Sequence, residues 1–134
     1  MMAAPVGSVD VEVLLIDWLQ GRLGAGVVVR DELDNRLLEE LPTVQVEELP
    51  GTDDGLRLSR AMVDINVYAA SRQQARDLAA QVHRLLLGAL RGSATDAAVV
   101  GRVAAVTTPA PRPYENTALR RRGATYEIYL HPVH

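Results

Sequence analysis

Two stretches of the chain repeat apolar residues at steps of three and four, the spacing of an amphipathic helix. The first helix is predicted from a cap at Ser8 to about Leu23, with an apolar stripe of Val11, Leu14, Leu15, Trp18 and Leu19. The second begins after Ser71, which forms a capping box with Gln74, and ends at Arg91-Gly92. Its apolar stripe is the longer one: Ala75, Leu78, Ala79, Val82, Leu85, Leu86, Ala89 and Leu90.

Other stretches alternate apolar and polar positions or cluster β-branched residues, as strands do. They are Val27–Val29, Thr43–Leu49, Leu56–Ala69, Val99–Thr107 and Ala124–Leu130. In the long strand Leu56–Ala69 the apolar side changes near Ser59-Arg60, which predicts a bulge or bend. The leucine-rich segment Asp31–Leu41 fits one or two helical turns that Pro42 stops. Short connections between strands predict an α+β fold: a mainly antiparallel β-sheet with two principal α-helices packed on one face.

The remaining segments read as loops and a tail. Pro50–Gly55 has the composition of a turn or flexible loop, and Thr108–Arg122, with three prolines and three consecutive arginines, predicts a long irregular arm. Residues 1–8 are expected to be a flexible tail. Residues 9–134 are then a single domain, in keeping with a chain of 134 residues.

Composition excludes several kinds of chemistry. There is no cysteine, which rules out disulfides and thiolate chemistry, and no lysine, which rules out a P-loop. The histidines His83, His131 and His134 have no partners at metal-ligand or general-base spacing. We therefore predict no catalytic, cofactor-binding or metal site, and no enzyme activity. No apolar run is long enough to span a membrane, and the first residues lack the features of a signal peptide.

One polar trio keeps an enzymatic or small-molecule-binding alternative open. Asp64, Asn66 and Tyr68 fall on the same face of the long strand, opposite its apolar face. A binding pocket would need such converging polar groups. We expect the trio instead to face solvent, a lumen or a subunit contact.

Charge is unevenly distributed, although the net charge is only −3. Residues 1–56 carry 12 acidic residues and 3 arginines, whereas residues 57–134 carry 11 arginines and 5 acidic residues. If these halves occupy opposite flanks, identical subunits can attract each other head to tail and close a ring. The alternative is that the halves interleave and neutralise each other within one chain. The densest basic spot is formed by Arg112, Arg120, Arg121 and Arg122, beside Tyr114. A protein partner is favoured over nucleic acid there, because no set of aromatic stacking residues accompanies the arginines.

Roughly residues 9–132 resemble the tail terminator, or tail completion, proteins of long-tailed bacteriophages and prophages. The resemblance lies in four strings: DVEVLLIDWLQ, LLEELPTVQVEEL, RAMVDINVYAASRQQARDLAAQVHRLLLGALRG and RPYENTALRRRGATYEIYL. The third is the most specific, because an alternating strand that ends in Tyr-Ala-Ala leads through a serine cap into an alanine- and leucine-rich helix.

The resemblance implies a structural role in assembly. Such proteins form a hexameric ring on the last ring of tail-tube protein, stop its polymerisation and offer a joining surface to neck or head-completion proteins. DNA passes through the lumen without specific binding. The protein would then reside at the neck-proximal end of the virion tail, after assembly in the host bacterial cytoplasm. The two predicted loops would be contact surfaces, which gives the interface residues Asp53, Asp54, Arg112, Tyr114, Arg120, Arg121 and Arg122. A stopper or neck adaptor is the alternative role.

Overall fold

The structure, a computed structural model, describes residues 9–53, 58–96 and 98–132. The predicted tail at residues 1–8 with its Ser8 cap, together with Asp54, Leu56 and His134, lies outside these ranges. Within them the two long helices are α1 (Val11–Leu23) and α2 (Arg72–Leu85), and α2 runs on into a π-helical turn at Leu86–Leu90. The strands are β1 (Val28–Arg30), β2 (Thr43–Asp53), β3 (Ser59–Ala69), β4 (Ala98–Pro111) and β5 (Arg120–Pro132).

The five strands form one sheet in the order β1-β2-β3-β5-β4. All neighbours are antiparallel except β1 and β2, which run parallel. The segment between them carries a 3-10 turn at Leu37–Glu39 and returns the chain to the end of the sheet where β2 begins. Helix α2 connects β3 to β4, and these two strands are not neighbours in the sheet. Strand β5 lies between them and pairs with both.

Both helices pack on the same face of the sheet, and the α+β prediction is confirmed. Leu15 and Leu19 of α1 and Val82 of α2 lie in one apolar cluster with the inward residues of the strands. On β3 those inward residues are Ala61, Val63, Ile65 and Val67, as the alternation predicts. No helix in the described ranges is long and apolar enough to span a bilayer.

Helix starts agree with capping chemistry. The cap of α1 is Asp10, so the predicted cap at Ser8 is wrong: the Asp10 side chain accepts a hydrogen bond from the Val13 amide at 3.1 Å. Ser71 caps α2 as predicted, because its Oγ accepts from the Gln74 amide at 3.1 Å. The Gln74 side chain reaches back to the amide of Ala70 at 3.2 Å.

Strands extend into both segments that the sequence predicts as loops. Strand β2 extends through Pro50 to Asp53, and the pairing irregularity lies between Leu49 and Thr52 of β2, while Ser59 and Arg60 of β3 pair regularly. The predicted irregular arm Thr108–Arg122 is wrong at both ends, since β4 continues to Pro111 and β5 begins at Arg120. Prolines are tolerated in β4 because it is the edge strand, where a missing N–H costs no ladder bond on the outer side.

Candidate interaction surface

The face of the sheet opposite the helices, here called the open face, carries a connected polar cluster at its centre. Arg112, just after β4, donates from Nη1 to Asp64 Oδ2 at 2.8 Å and to Asn66 Oδ1 at 3.0 Å. Thr125 of β5 donates from Oγ1 to Asp64 Oδ1 at 2.8 Å. The sheet register puts Asp64 opposite Thr125 and Asn66 opposite Gly123, so the strand pairing itself assembles this cluster.

Gly123 makes room for the arginine. A Cβ atom built on Gly123 would clash with Asn66 Oδ1 and would come within 2.8 Å of both Arg112 Nη1 and the Ile65 carbonyl oxygen. Such approaches do not fit a side chain. The sequence therefore places its smallest residue where the guanidinium and the amide of Asn66 meet over the sheet.

A second cluster folds the 112–119 loop onto the same face. The ring of Tyr114 packs edge-on against Tyr68 with centroids 5.3 Å apart, and the guanidinium of Arg121 lies 5.2 Å from the centroid of Tyr114. Tyr68 donates from its hydroxyl to Gln45 Oε1 at 2.9 Å. Burial raises the pKa of the Tyr68 hydroxyl, partly offset by nearby Arg121. This loop thus covers the end of the open face.

The expectation that Asp64, Asn66 and Tyr68 face solvent, a lumen or a subunit contact is wrong for two of the three. Asn66 is 4% exposed and Tyr68 is 1% exposed, and Asp64 is partly buried against Arg112. The reason is the 112–119 loop, whose side chains fill the space above the strand. Alternation along one strand identifies a polar face but contains no information about a loop that covers it.

The predicted interface residues differ in their surroundings. Arg112 and Tyr114 are engaged inside the chain as described, whereas Arg120 is exposed. Asp53 is exposed at the end of β2, and Asp54 lies outside the described residues. Arg121 and Arg122 are half-buried at the start of β5.

Four arginines surround one cleft, here called the arginine cleft, at the end of the sheet where β5 begins. Its volume is about 230 Å³, and it is lined by Arg72, Ala75, Pro111, Arg120, Arg121 and Arg122. Arg72 was missed in the sequence analysis. Its position in the sequence is the signal that could have identified it, because Arg72 is the first residue of α2. A positive charge in the first turn of a helix is unfavourable next to the helix dipole. That turn contains no acidic residue.

The acidic and basic halves of the chain lie towards opposite edges of the sheet. The acidic half forms α1, β1, the 3-10 turn and β2, whereas α2, β4 and β5 belong to the basic half; β3 lies between. The five ion pairs between described residues each join two members of the same half: Arg30–Asp34, Arg30–Glu40, Arg36–Glu39, Arg60–Glu127 and Arg112–Asp64. Because none of these pairs joins the two halves, they do not cancel the difference in charge between the two edges of the sheet.

Titratable groups elsewhere among the described residues also have shifted pKa values. Tyr126 is buried, which raises the pKa of its hydroxyl, and that hydroxyl lies 2.8 Å from His83 Nδ1. Burial, and then the carboxylates of Glu12 and Asp10, raise the pKa of Glu48. Among the described residues, no three histidine or acidic side chains are grouped so that they could hold a metal ion.

Comparison with known proteins finds a likeness among solved structures. No protein-family model matches the chain. No curated protein matches it either. Among solved structures, a chain of the virion of a native gene transfer agent particle is similar, with a TM-score of 0.57 and 17% sequence identity. The likeness covers 90% of this chain and 89% of that one, so the two chains share essentially their whole fold.

Proposed function

We propose that this chain is a structural component of a tailed, phage-like particle, and that it acts there as the tail terminator. The observation that carries the proposal is the fold likeness to a chain of a gene transfer agent virion, which extends over 90% of the present chain. The resemblance of residues 9–132 to tail terminator sequences supports the finer assignment. We propose no catalytic activity.

The disposition of polar groups supports a role in binding. On the open face, the polar trio is hydrogen-bonded within the chain: Asp64 and Asn66 accept from Arg112, Asp64 also accepts from Thr125, and Tyr68 donates to Gln45. The four arginines that line the arginine cleft, at the periphery, form no ion pair with a carboxylate of the described residues. Peripheral charge of this kind steers and orients protein partners.

In this proposal the subunits form a closed ring, and the resemblance to tail terminator proteins implies six subunits. A ring requires a heterologous contact between two different surfaces of the same subunit. Opposite charge at the two edges of the sheet supplies such a pair of surfaces. One end of the ring would then close the tail tube, the other would meet the neck or head-completion protein, and DNA would pass through the lumen without specific contacts.

The test is assembly with purified components. Native mass spectrometry and negative-stain microscopy of the protein are expected to find a closed ring. Added to tail-tube protein from the same genome, substoichiometric rings are expected to bind tube ends and stop elongation. A protein that is monomeric at every concentration and leaves tube growth unchanged would contradict the proposal. Rings that bind portal-side proteins but not tubes would favour a stopper or neck adaptor instead.

A further inference from the structure

Three of the four arginines that line the arginine cleft donate to neutral groups, and the guanidinium of Arg121 also lies over the ring of Tyr114. Arg120 donates to the carbonyl oxygens of Thr117 and Leu119, Arg121 to those of Arg112 and Pro113, and Arg122 to that of Pro109. Carbonyl oxygens are neutral acceptors, so the positive charge remains. Like charges that line one cleft repel one another, and an anionic partner bound there would offset that repulsion.

The cleft also has an apolar part, formed by Ala75 and Pro111. A ligand that fits it therefore combines carboxylates with an apolar side chain. A nucleic-acid backbone supplies anionic charge but no aliphatic group for these two residues to bury. This favours an acidic peptide segment over a phosphate backbone as the occupant.

The chain itself contains such a segment around the 3-10 turn. Residues 31–41 hold five acidic residues and one arginine, and Leu38, at 52% exposure, is among the most exposed large apolar residues described. Leu38 is followed by Glu39, which is also exposed. The segment thus presents an exposed leucine beside carboxylates, which is the chemistry that the cleft requires; Glu39 also lies 3.2 Å from Arg36, in an ion pair that is itself exposed.

The two surfaces are placed for contact between neighbours in a ring. The turn precedes β2, near the β1 edge, and the cleft lies at the start of β5, next to the opposite edge strand β4. Both are at the same end of the strands, because Thr43 pairs with Tyr68 and the adjacent Ala69 pairs with Arg120. Subunits set side by side around a ring axis can therefore bring one surface to the other.

We propose that the arginine cleft of one subunit binds the acidic segment of residues 31–41 of the next, including its turn at Leu37–Glu39, and that this contact closes the ring. This inference rests on the proposed ring. The contact is heterologous, since cleft and turn are different surfaces, and repetition of one such contact generates a cyclic assembly when the rotation closes.

Charge reversal tests the contact directly. A cleft variant, Arg72→Glu with Arg120→Glu, and a turn variant, Glu32→Arg with Glu39→Arg, change only exposed side chains. Sedimentation velocity and native mass spectrometry are expected to show at least a tenfold weaker ring for each. A chain with all four changes is expected to recover most of the association, because acidic cleft then meets basic turn. Arg84→Glu, exposed farther along α2, is the matched control and is expected to assemble normally.

The outcomes separate this inference from the proposed function. A wild-type protein that never forms rings overturns both. If the wild type forms rings and both double variants form them equally well, only the proposed contact is overturned. The same holds if the fourfold variant recovers no association. A further outcome is that the cleft variant forms intact rings that no longer bind a short DNA duplex that the wild type binds. That outcome would assign the cleft to DNA and would overturn the proposed contact between subunits.

Cross-linking provides a readout that does not depend on charge reversal. The chain has no cysteine, so Leu38→Cys combined with Pro111→Cys introduces the only two thiols. A short bis-maleimide is expected to give a ladder of covalent oligomers up to the full ring on a denaturing gel. Leu38→Cys combined with Arg84→Cys is expected to give no ladder. Absence of a ladder from folded, ring-forming Leu38→Cys/Pro111→Cys protein contradicts the contact.

Discussion

Arg112 illustrates how far the role of a single residue depends on its surroundings. In the sequence it belongs to the densest basic spot and is a natural choice for a partner contact. In the fold its guanidinium bridges Asp64, Asn66 and, at 3.4 Å, Thr125. Because charge-assisted hydrogen bonds to partly buried acceptors are strong, this arginine fixes the 112–119 loop to the sheet.

Arg112→Met is expected to lower the free energy of unfolding by about 1.5–3 kcal/mol, because Asp64 then keeps a partly buried charge without its cation. The partial exposure of both side chains keeps the loss below the ~3–5 kcal/mol of a fully buried pair. Urea denaturation at one fixed protein concentration measures it. Arg84→Met, at an exposed position, is the control and is expected to change stability by less than about 0.5 kcal/mol. Equal losses in both variants would contradict the role given to Arg112.

Two glycines give a matched pair for the same cluster. Gly123→Ala is expected to destabilise the fold by about 1–3 kcal/mol, since the new methyl group overpacks against Asn66 and the Ile65 carbonyl. Gly21→Ala lies within α1 with nothing within 4 Å of the added Cβ, and is expected to stabilise by about 0.5–1 kcal/mol through helix propensity. Thermal or urea unfolding of the two variants should therefore give opposite signs. If Gly123→Ala left the free energy of unfolding unchanged, the side chains around Gly123 would have to shift at little cost, which would contradict tight packing at this position.

Glu48 supplies a pH-dependent test. Its pKa is raised in the folded chain, first by burial and then by Glu12 and Asp10, so the folded state holds this proton more tightly than the unfolded state. Stability is therefore lost as pH rises from the unfolded-chain pKa through the higher folded pKa. Glu48→Gln is expected to stabilise by about a few tenths of a kcal/mol at neutral pH, where an exposed group is strongly screened, and to have no effect at about pH 3, below both pKa values.

The control for this titration is Glu47→Gln, which lies on the opposite face of β2 and away from Asp10 and Glu12. Unfolding curves at both pH values should show little change for it. A stabilisation by Glu48→Gln that persists unchanged in acid would show that the effect does not come from ionisation.

Among the secondary-structure elements, helix α2 and the turn that continues it show how packing selects among equivalent apolar positions. The stripe in the sequence contains both Leu85 and Leu86 and does not distinguish them. In the structure Leu86 is fully buried at 0% exposure, whereas Leu85 is only half-buried. The change from α-helical to π-helical hydrogen bonding at Leu86–Leu90 leaves Leu86 and Leu90 facing the sheet.

Leu86→Ala is accordingly expected to lower the free energy of unfolding by about 2–5 kcal/mol, the usual cost of a cavity in a packed core. Leu85→Ala is expected to cost about 1 kcal/mol or less, in proportion to its smaller buried area. Equilibrium unfolding with circular dichroism measures both. Comparable losses would indicate that Leu85 is buried in the assembled protein, which measurement at two protein concentrations would distinguish.

For the whole molecule, the distribution of charge is the main property relevant to assembly. A net charge of −3 conceals an acidic edge and a basic edge of the same sheet. The ion pairs join residues of the same half and therefore do not cancel this opposition, and four arginines line the arginine cleft. Assembly that uses these surfaces must be sensitive to salt, because exposed charges are screened over a Debye length of about 10 Å at 0.1 M.

Raising the salt concentration from about 0.05 M to about 0.5 M is therefore expected to weaken ring formation at least tenfold, or about 1.4 kcal/mol. Sedimentation velocity over a range of protein concentrations measures the change. Sucrose at matched viscosity is the control and is expected to have no such effect. Rings that are equally stable or more stable in high salt would point to an apolar contact between subunits.

The sequence by itself determined the local elements, because their signals are local. The period of β3, the Ser71 cap and the apolar stripe of α2 can each be read within about twenty residues, and the absence of cysteine and lysine excludes chemistry regardless of the fold. The predictions from sequence are wrong where a residue's structure depends on a contact with a residue distant in the sequence. Pro109 and Pro111 suggested an irregular arm, since nothing nearby shows that β4 is an edge strand.

Only the tertiary structure decided which polar residues are internal and which are left for partners. Asp64 and Arg112 are 48 positions apart, and their contact depends on the sheet order and on a loop that folds over the open face. The same order placed the acidic and basic halves at opposite edges and brought Arg72 to Arg120. Burial and pairing are properties of residues that meet in space, so a pattern along the chain predicts the elements but not the surfaces they form together.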